Sequence, residues 1–235
     1  MPLYDREEKI IGLLSETESM PLDILASKLF ISLPTLRRDL IKLENRGLVT
    51  RMHGKVSIKR APADTKIPFF LRIDEQSDAK LAIAKEAVKH IKDSSTIMLD
   101  ASTSAYCIIP HLKNFKDIIV ITSGARAALL LAHLGIKNIC TGGNMLNSSF
   151  SYVGRDALEM LSHYNADVAF FSCRGLSDEG IPSDSSAEEN DVRRVMMARS
   201  KKNILLCDKS KFGKVYLNNL CPKEKIDVII SDNDL

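Results

Sequence analysis

From residue 96 onward, apolar runs of strand length recur along the chain: "TIMLD", "DIIVITS", "KNIC", "DVAFFS", "NILLCD" and "DVIIS". Between them lie longer stretches, "TSAYCIIPHLK", "ARAALLLAHLG", "RDALEMLSHY" and "NDVRRVMMARS", whose apolar residues return at helical spacing. A run that is apolar on nearly every residue buries both of its faces, and a connection of helix length is what joins two parallel strands. The alternation therefore predicts an α/β domain with a mostly parallel sheet covered on both sides. "SDAKLAIAKEAVKHIKD" opens this domain as an amphipathic helix, with Leu81, Ala84, Ala87, Val88 and Ile91 as its inward face.

The first sixty residues follow a different pattern. "YDREEKIIGLLSET" repeats Ile10, Leu13 and Leu14 at helical spacing, with Asp5, Glu7 and Glu8 where a helix N-terminus favours anions. "PLDILASKLF" predicts a short second helix, with Pro21 in its first turn and Leu22, Leu25, Ala26 and Leu29 facing inward. A third helix starts where Ser32 can cap it and Pro34 fits the first turn, and Gly47 marks its end. Leu36, Leu40 and Leu43 share one narrow face of it, while Pro34, Arg38, Lys42 and Asn45 lie opposite, Arg37 and Glu44 on the flank, and Thr35 toward the outer side.

Charge marks the same segment. The net +3 of the whole chain hides a local excess, because residues 33–60 hold eight Lys+Arg against two Asp+Glu. Three helices, the last presenting hydrogen-bonding and cationic groups on its outward N-terminal half, fit a helix-turn-helix that enters the major groove of double-stranded DNA. "LVTRMHGKVSIKR" then reads as two short strands about a His53–Gly54 turn, a wing with Arg51, His53, Lys55, Lys59 and Arg60 for phosphates. The expected DNA contacts are Ser32, Pro34, Thr35, Arg37, Arg38, Lys42, Arg51, His53 and Lys55. The domain division is a small winged helix-turn-helix over 1–58, a proline-bearing linker over 59–75, and the larger α/β domain over 76–235.

"LASKLFISLPTLRRDLIKLENRGLVTRMHG" resembles the DNA-binding signature of the DeoR-type transcriptional regulators. That pattern runs Ser-x-x-Thr-[Ile/Leu]-Arg-Arg-Asp-Leu, then Leu-Glu-x-x-Gly, then Arg-x-His-Gly. It matches Ser32, Thr35, Leu36, Arg37, Arg38, Asp39, Leu40, Leu43, Glu44, Gly47, Arg51, His53 and Gly54. The family usually continues with glycine and alanine where this chain has Lys55 and Val56.

In a parallel α/β sheet, ligand chemistry gathers beyond the carboxyl ends of the strands. Those ends read "DASTS" (100–104), "TSG" (122–124), "TGGN" (141–144), "SCRG" (172–175) and "DKSK" (208–211). Hydroxyls and backbone N–H groups donate to an anion, and a lysine supplies compensating charge, so the set suggests a small molecule bearing phosphate. The DeoR-type resemblance extends here through Asp100-x-x-Thr103, Thr122, Gly142–Gly143, Gly154, "RGLSDEGI", "VRRVMMARS" and Asp208-x-Ser210-Lys211-Phe212.

That resemblance implies an effector domain similar to the sugar-phosphate isomerase and CoA-transferase superfamily. It assigns Asp100, Ser102, Thr103 and Ser104 to a first sugar-phosphate loop, with Thr122, Ser123, Gly142, Gly143 and Lys211 completing the pocket. The family usually has glycine where this chain has Ser102, and asparagine where it has Ser123.

Two functions follow from different classes. The first is a transcriptional regulator, a repressor of a carbohydrate operon, whose affinity for its operator is set by a phosphorylated sugar and which acts as a homo-oligomer, dimer or tetramer. The alternative is a sugar-phosphate isomerase or deaminase with a basic N-terminal appendage, which needs a carboxylate base beside the substrate. Asp100, Asp178, Glu179, Asp184, Glu188, Glu189 and Asp208 are acidic, but no pattern specific to that chemistry joins them, so no catalytic residue is assigned. His90, His111, His133 and His163 fall in or beside amphipathic helices. Five cysteines without metal-ligand spacing read as reduced structural thiols, so neither a metal nor a cofactor is expected. No apolar run is long enough to span a bilayer, and the charged N-terminus lacks a signal-peptide pattern, so no membrane partner and a cytoplasmic location are expected.

Overall fold

Leu36, Leu40 and Leu43 are buried as a seam in the first of two units of this computed structural model, Met1–Glu75, the second being Gln76–Leu235. The structure describes residues 3–17, 19–45, 48–52, 54–58 and 69–232. In the first unit, α1 (Leu3–Thr17), α2 (Leu22–Lys28) and α3 (Leu33–Asn45) enclose a core of Ile10, Ile11, Leu14, Leu25, Leu36 and Leu40. The wing forms as expected, with β2 (Val49–Met52) antiparallel to β3 (Lys55–Ile58). Gly54 takes φ +72, and its carbonyl accepts from Leu22 N–H at 3.0 Å, which fixes the turn to the start of α2. Gly47, His53, Lys59 and Arg60 lie outside the described residues.

Two features of this unit differ from the sequence reading. Pro21 does not enter a helical turn; it ends β1 (Ser19–Pro21), which joins the wing as a third strand by pairing with β3. And the stretch expected as linker over 59–75 ends in a helix, α4 (Phe69–Asp74), which packs on α1 with Phe69 buried. Six residues are too few to display a helical period, and the prolines before them dominate the pattern.

The second unit is built on a six-stranded parallel sheet of order β14-β12-β9-β4-β5-β6. Its strands are β4 (Thr96–Leu99), β5 (Ile119–Thr122), β6 (Asn138–Cys140), β9 (Val168–Ser172), β12 (Asn203–Leu206) and β14 (Val228–Ile230). Successive residues point to opposite faces, and both faces are apolar. Ile97, Leu99, Phe170, Ile204 and Leu206 pack under α5 (Ser77–Ala87), α6 (Thr103–Tyr106) and α7 (Ala125–His133). Met98, Ala169, Phe171 and Leu205 pack under α8 (Arg155–Ser162) and α9 (Ala187–Ala198).

A hairpin of β7 (Asn144–Leu146) and β8 (Ser151–Val153), and a small sheet of β10 (Gly175–Leu176), β11 (Pro182–Asp184) and β13 (Asn218–Asn219), sit on the connections. Among the described residues no helix is long and apolar enough to cross a membrane.

The inward face of α5 is also displaced from expectation. Leu81 is 47% exposed, while Lys80 is buried beside Ile83, Ala84 and Ala87. A buried lysine with an exposed leucine next to it is the reverse of what hydrophobic periodicity selects. The Lys80 charge acts on the Asp208 carboxylate at the end of β12.

Candidate nucleic-acid interface and ligand site

The N-terminus of α3 is closed by Ser32, whose Oγ lies 2.9 Å from Thr35 Oγ1 and accepts from Thr35 N–H at 3.4 Å. Beyond the cap, Pro34, Arg37, Arg38 and Lys42 are exposed and Thr35 is half-buried. The third residue of the Arg37-Arg38-Asp39 run has a different task. Asp39 is buried and accepts from Arg6 at both oxygens, Nε to Oδ2 at 2.7 Å and Nη2 to Oδ1 at 3.1 Å, which ties α3 to α1.

On the wing, Lys55 is exposed. Arg51 is exposed too, but its guanidinium is engaged by Glu44 of α3, Nε at 2.7 Å and Nη2 at 2.5 Å from Oε2. Arg51 N–H also donates to Glu44 Oε1 at 3.0 Å, and these bonds hold the Glu44 carboxyl below its ordinary value. Arg51 therefore braces the wing against α3, a role its residue type alone did not reveal.

The parallel sheet reverses its winding between β4 and β9, since the chain builds outward from β4 through β5 and β6, then returns to build outward through β9, β12 and β14. At such a switch point the loops leave on opposite faces and open a crevice. Asp100, the residue after β4, fills this point and is buried. Its Oδ1 accepts from Ser102 N–H at 3.0 Å, and its Oδ2 from Ser172 N–H at 3.2 Å and Arg193 Nε at 2.9 Å. Arg193, from α9, also gives Nη1 to Asp184 Oδ2 at 2.8 Å and to Asn190 Oδ1 at 3.0 Å.

Burial opposes ionisation of Asp184, but the Arg193 charge and its hydrogen bonds outweigh it and hold the carboxyl below its ordinary value. The Arg193 guanidinium is likewise disfavoured by burial, yet Asp184 and Asp100 pull its pKa upward.

Lys211 completes this corner. Its Nζ donates to Ser172 Oγ at 2.8 Å and lies 3.2 Å from Asp208 Oδ2, while Ser172 Oγ donates to Leu206 O at 2.7 Å. Burial raises the Asp208 carboxyl, but Lys211 and the Ser210 bonds outweigh that and keep it low. Ser172 thus links the first loop, through Asp100, to the lysine over β12. Cys173 and Cys207 follow directly on the aligned Ser172 and Leu206, and the neighbouring Cys173, with burial, raises the Cys207 thiol.

The remaining expected residues divide into two groups. Ser102 caps α6, its Oγ accepting from Ala105 N–H at 3.1 Å, and Thr103 and Ser104 are buried beside it. Thr122 Oγ1 accepts from Gly124 N–H at 3.0 Å, and a β-carbon on Gly124 would lie 3.2 Å from Ala101 Cα, so the loops after β4 and β5 are in contact. Gly143 belongs elsewhere. It takes φ +104, and a β-carbon there would lie 2.7 Å from Val153 O and 3.2 Å from Ala157 N. Glycine is thus required for the hairpin to approach α8, and Gly142, at φ +65, makes the turn before it.

Asp100, expected at the ligand, also uses both of its oxygens to hold the loop. Its partners Arg193 and Ser172, and the Asp184 and Asn190 that hold Arg193, were not among the expected site residues. The signal was partial: Arg193 stands in a motif quoted above, but nothing in the sequence pairs it with Asp100, 93 positions away.

Comparison with known proteins bears on both units. A family model described as a DeoR-like helix-turn-helix domain matches residues 6–60, and one described as the DeoR C terminal sensor domain matches residues 75–233. The chain is similar to the HTH-type transcriptional regulator GolR of Listeria innocua, 33% identical over 99% of this chain and 91% of the relative. It is 29% identical to the L-fucose operon activator of Escherichia coli, over 97% of this chain and 94% of that one. It is 27% identical to the lactose phosphotransferase system repressor of Staphylococcus epidermidis, over 100% of this chain and 94% of that one.

The buried Arg193 cluster has a defined pH signature. Arg193→Met leaves two carboxylates buried without their cation, which costs about 3–5 kcal/mol at pH 7. In the parent the depressed Asp184 contributes stability fully above about pH 4, and loses it as pH falls through the depressed value. In the variant burial raises the same carboxyl, so acidification relieves it. Urea melts at pH 7 and pH 4.5 are expected to show the stability gap between parent and variant shrinking on acidification, and a gap independent of pH would contradict the assignment.

Proposed function

The chain belongs to the DeoR family of transcriptional regulators, and we propose that it is a repressor of a carbohydrate operon, released or engaged by a phosphorylated sugar. Operator DNA is read by α3, with Arg37, Arg38 and Thr35 in the major groove and Ser32, Pro34 and Lys42 along its edge. Lys55 and His53 meet phosphates from the wing, while Arg51 holds the wing to Glu44. Supporting this is the opposition of the exposed Arg37 and Arg38 to the buried Leu36, Leu40 and Leu43 seam. A helix so anchored offers its cations outward at fixed spacing. A homo-oligomer, dimer or tetramer, presents two such helices to half-sites about 34 Å apart or a multiple of it. The working location is the cytoplasm, where the DNA is.

The effector lies over the β4/β9 switch point, within the corner formed by the Asp100–Ser104 loop, Thr122, Ser123 and Lys211. The carrying observation is Lys211 Nζ, held 2.8 Å from Ser172 Oγ over that point. Lysine there offers a positive charge to an anion, and the loop hydroxyls add donors. Gly142 and Gly143 shape the neighbouring hairpin.

Binding is not followed by turnover. Isomerisation requires a carboxylate free to reach a substrate carbon. Asp100 accepts from two backbone N–H groups and Arg193, Asp184 from Ser185 N–H, Ser186 N–H and Arg193, and Asp208 from Ser210 and Lys211. The carboxylates of the corner are occupied by the fold itself. No cofactor or metal enters this reading.

Two variants separate the halves. In gel shifts with duplex DNA selected by the full chain from random sequence, Arg38→Ala is expected to lose at least tenfold in affinity, equivalent to one charged groove contact of about 1–3 kcal/mol. Its thermal response to sugar phosphates should persist. Lys211→Ala is expected to bind that DNA as the parent does while losing the sugar-phosphate response. Unchanged DNA binding by the first variant, or a retained response in the second, would overturn the corresponding half.

A further inference from the structure

The hydroxyls of Ser104, Ser123 and Ser149 are buried without a hydrogen-bonding partner. A hydroxyl taken from water and left unpaired costs about 1–3 kcal/mol, so such groups are few in native proteins and each calls for a reason. These three are not scattered. Ser104 follows β4 and Ser123 follows β5, and the two loops touch where Gly124 meets Ala101. Ser149 stands in the turn between β7 and β8, remote from both in sequence. That turn is stitched to the Ser123 loop by Ala125 N–H to Phe150 O at 2.9 Å and Tyr152 N–H to Ser123 O at 2.7 Å. Phe150 takes φ +54, a conformation that costs a non-glycine residue energy, and those bonds hold it there.

We infer that Ser149 is a third hydroxyl donor of the effector site, and that the three serines together receive the phosphate oxygens of the ligand. The inference rests on the effector site proposed above and deepens it. The chemistry suits a phosphate ester in particular, since its terminal oxygens accept several hydrogen bonds at once and carry a negative charge that a lysine such as Lys211 compensates. It also accounts for the position of the β7–β8 turn, whose pairing to the Ser123 loop brings a residue from outside the main sheet to the same corner. Nothing in the local sequence "NSSF" distinguishes Ser149 from its neighbour Ser148.

The test uses inorganic phosphate as the probe on the full chain, with chloride at matched ionic strength as reference. Thermal unfolding is followed for the parent, Ser149→Ala, Ser148→Ala and Lys211→Ala. Ser149→Ala is expected to melt in chloride at or above the parent temperature, because it removes an unpaired buried hydroxyl. Its affinity for phosphate should fall about tenfold, as for the loss of one hydrogen bond to a charged group. Ser148→Ala should keep the parent response.

If Ser149→Ala melts lower in chloride with its phosphate response intact, the hydroxyl is structural and the inference fails. A Ser149→Ala response equal to the parent, beside a lost response in Lys211→Ala, sinks the inference and leaves the effector site standing. A parent that phosphate does not stabilise would overturn the site itself.

Discussion

The buried contact of Arg193 with Asp100 and Asp184 is what the sensor unit depends on. It joins the end of β4 to the end of β11 and the middle of α9, which stand more than 80 positions further along the chain. Two carboxylates and one guanidinium removed from water are stable only together, and each remaining oxygen is met by a backbone N–H. The consequence is a first loop set in place before any ligand arrives. The same bonds engage both carboxylates with the fold itself.

A similar division of labour runs through α3. In Arg37-Arg38-Asp39 the two arginines are exposed, while the aspartate is buried and gripped by Arg6. The acidic residue therefore does not weaken the positive face; it fixes the helix whose face that is. Glu44 does the same for the wing through Arg51. In both places an anion inside a cationic segment is spent on positioning.

Much of this was legible in the sequence because it follows from periodicity. Strands buried on both faces read as continuous apolar runs, and the Leu36, Leu40 and Leu43 seam fell where a helical period puts it. Short elements were not legible. β7, β8, β10, β11 and β13 are two or three residues long, too few for alternation to show, and α4 was hidden behind prolines. Nor could pairings over long separations be read. Lys80 is buried although no apolar stripe of α5 includes it, and Asp100 and Arg193, which bond directly, stand 93 positions apart. Ser149 had no signal at all, since an unpaired hydroxyl is a property of the folded surroundings.

The central claim is that one chain couples a phosphate-ester site to an operator site without chemistry on the ligand. Calorimetric titration of sugar phosphates into the full chain, free and saturated with its selected duplex DNA, tests it most directly. Linkage requires that a ligand able to regulate binding differ in affinity between the two states, typically by about 5- to 150-fold. The expected result is a phosphorylated sugar whose Kd shifts by such a factor and which is recovered unaltered. Equal Kd values in both states for every compound that binds, or conversion of the bound compound, would contradict the account.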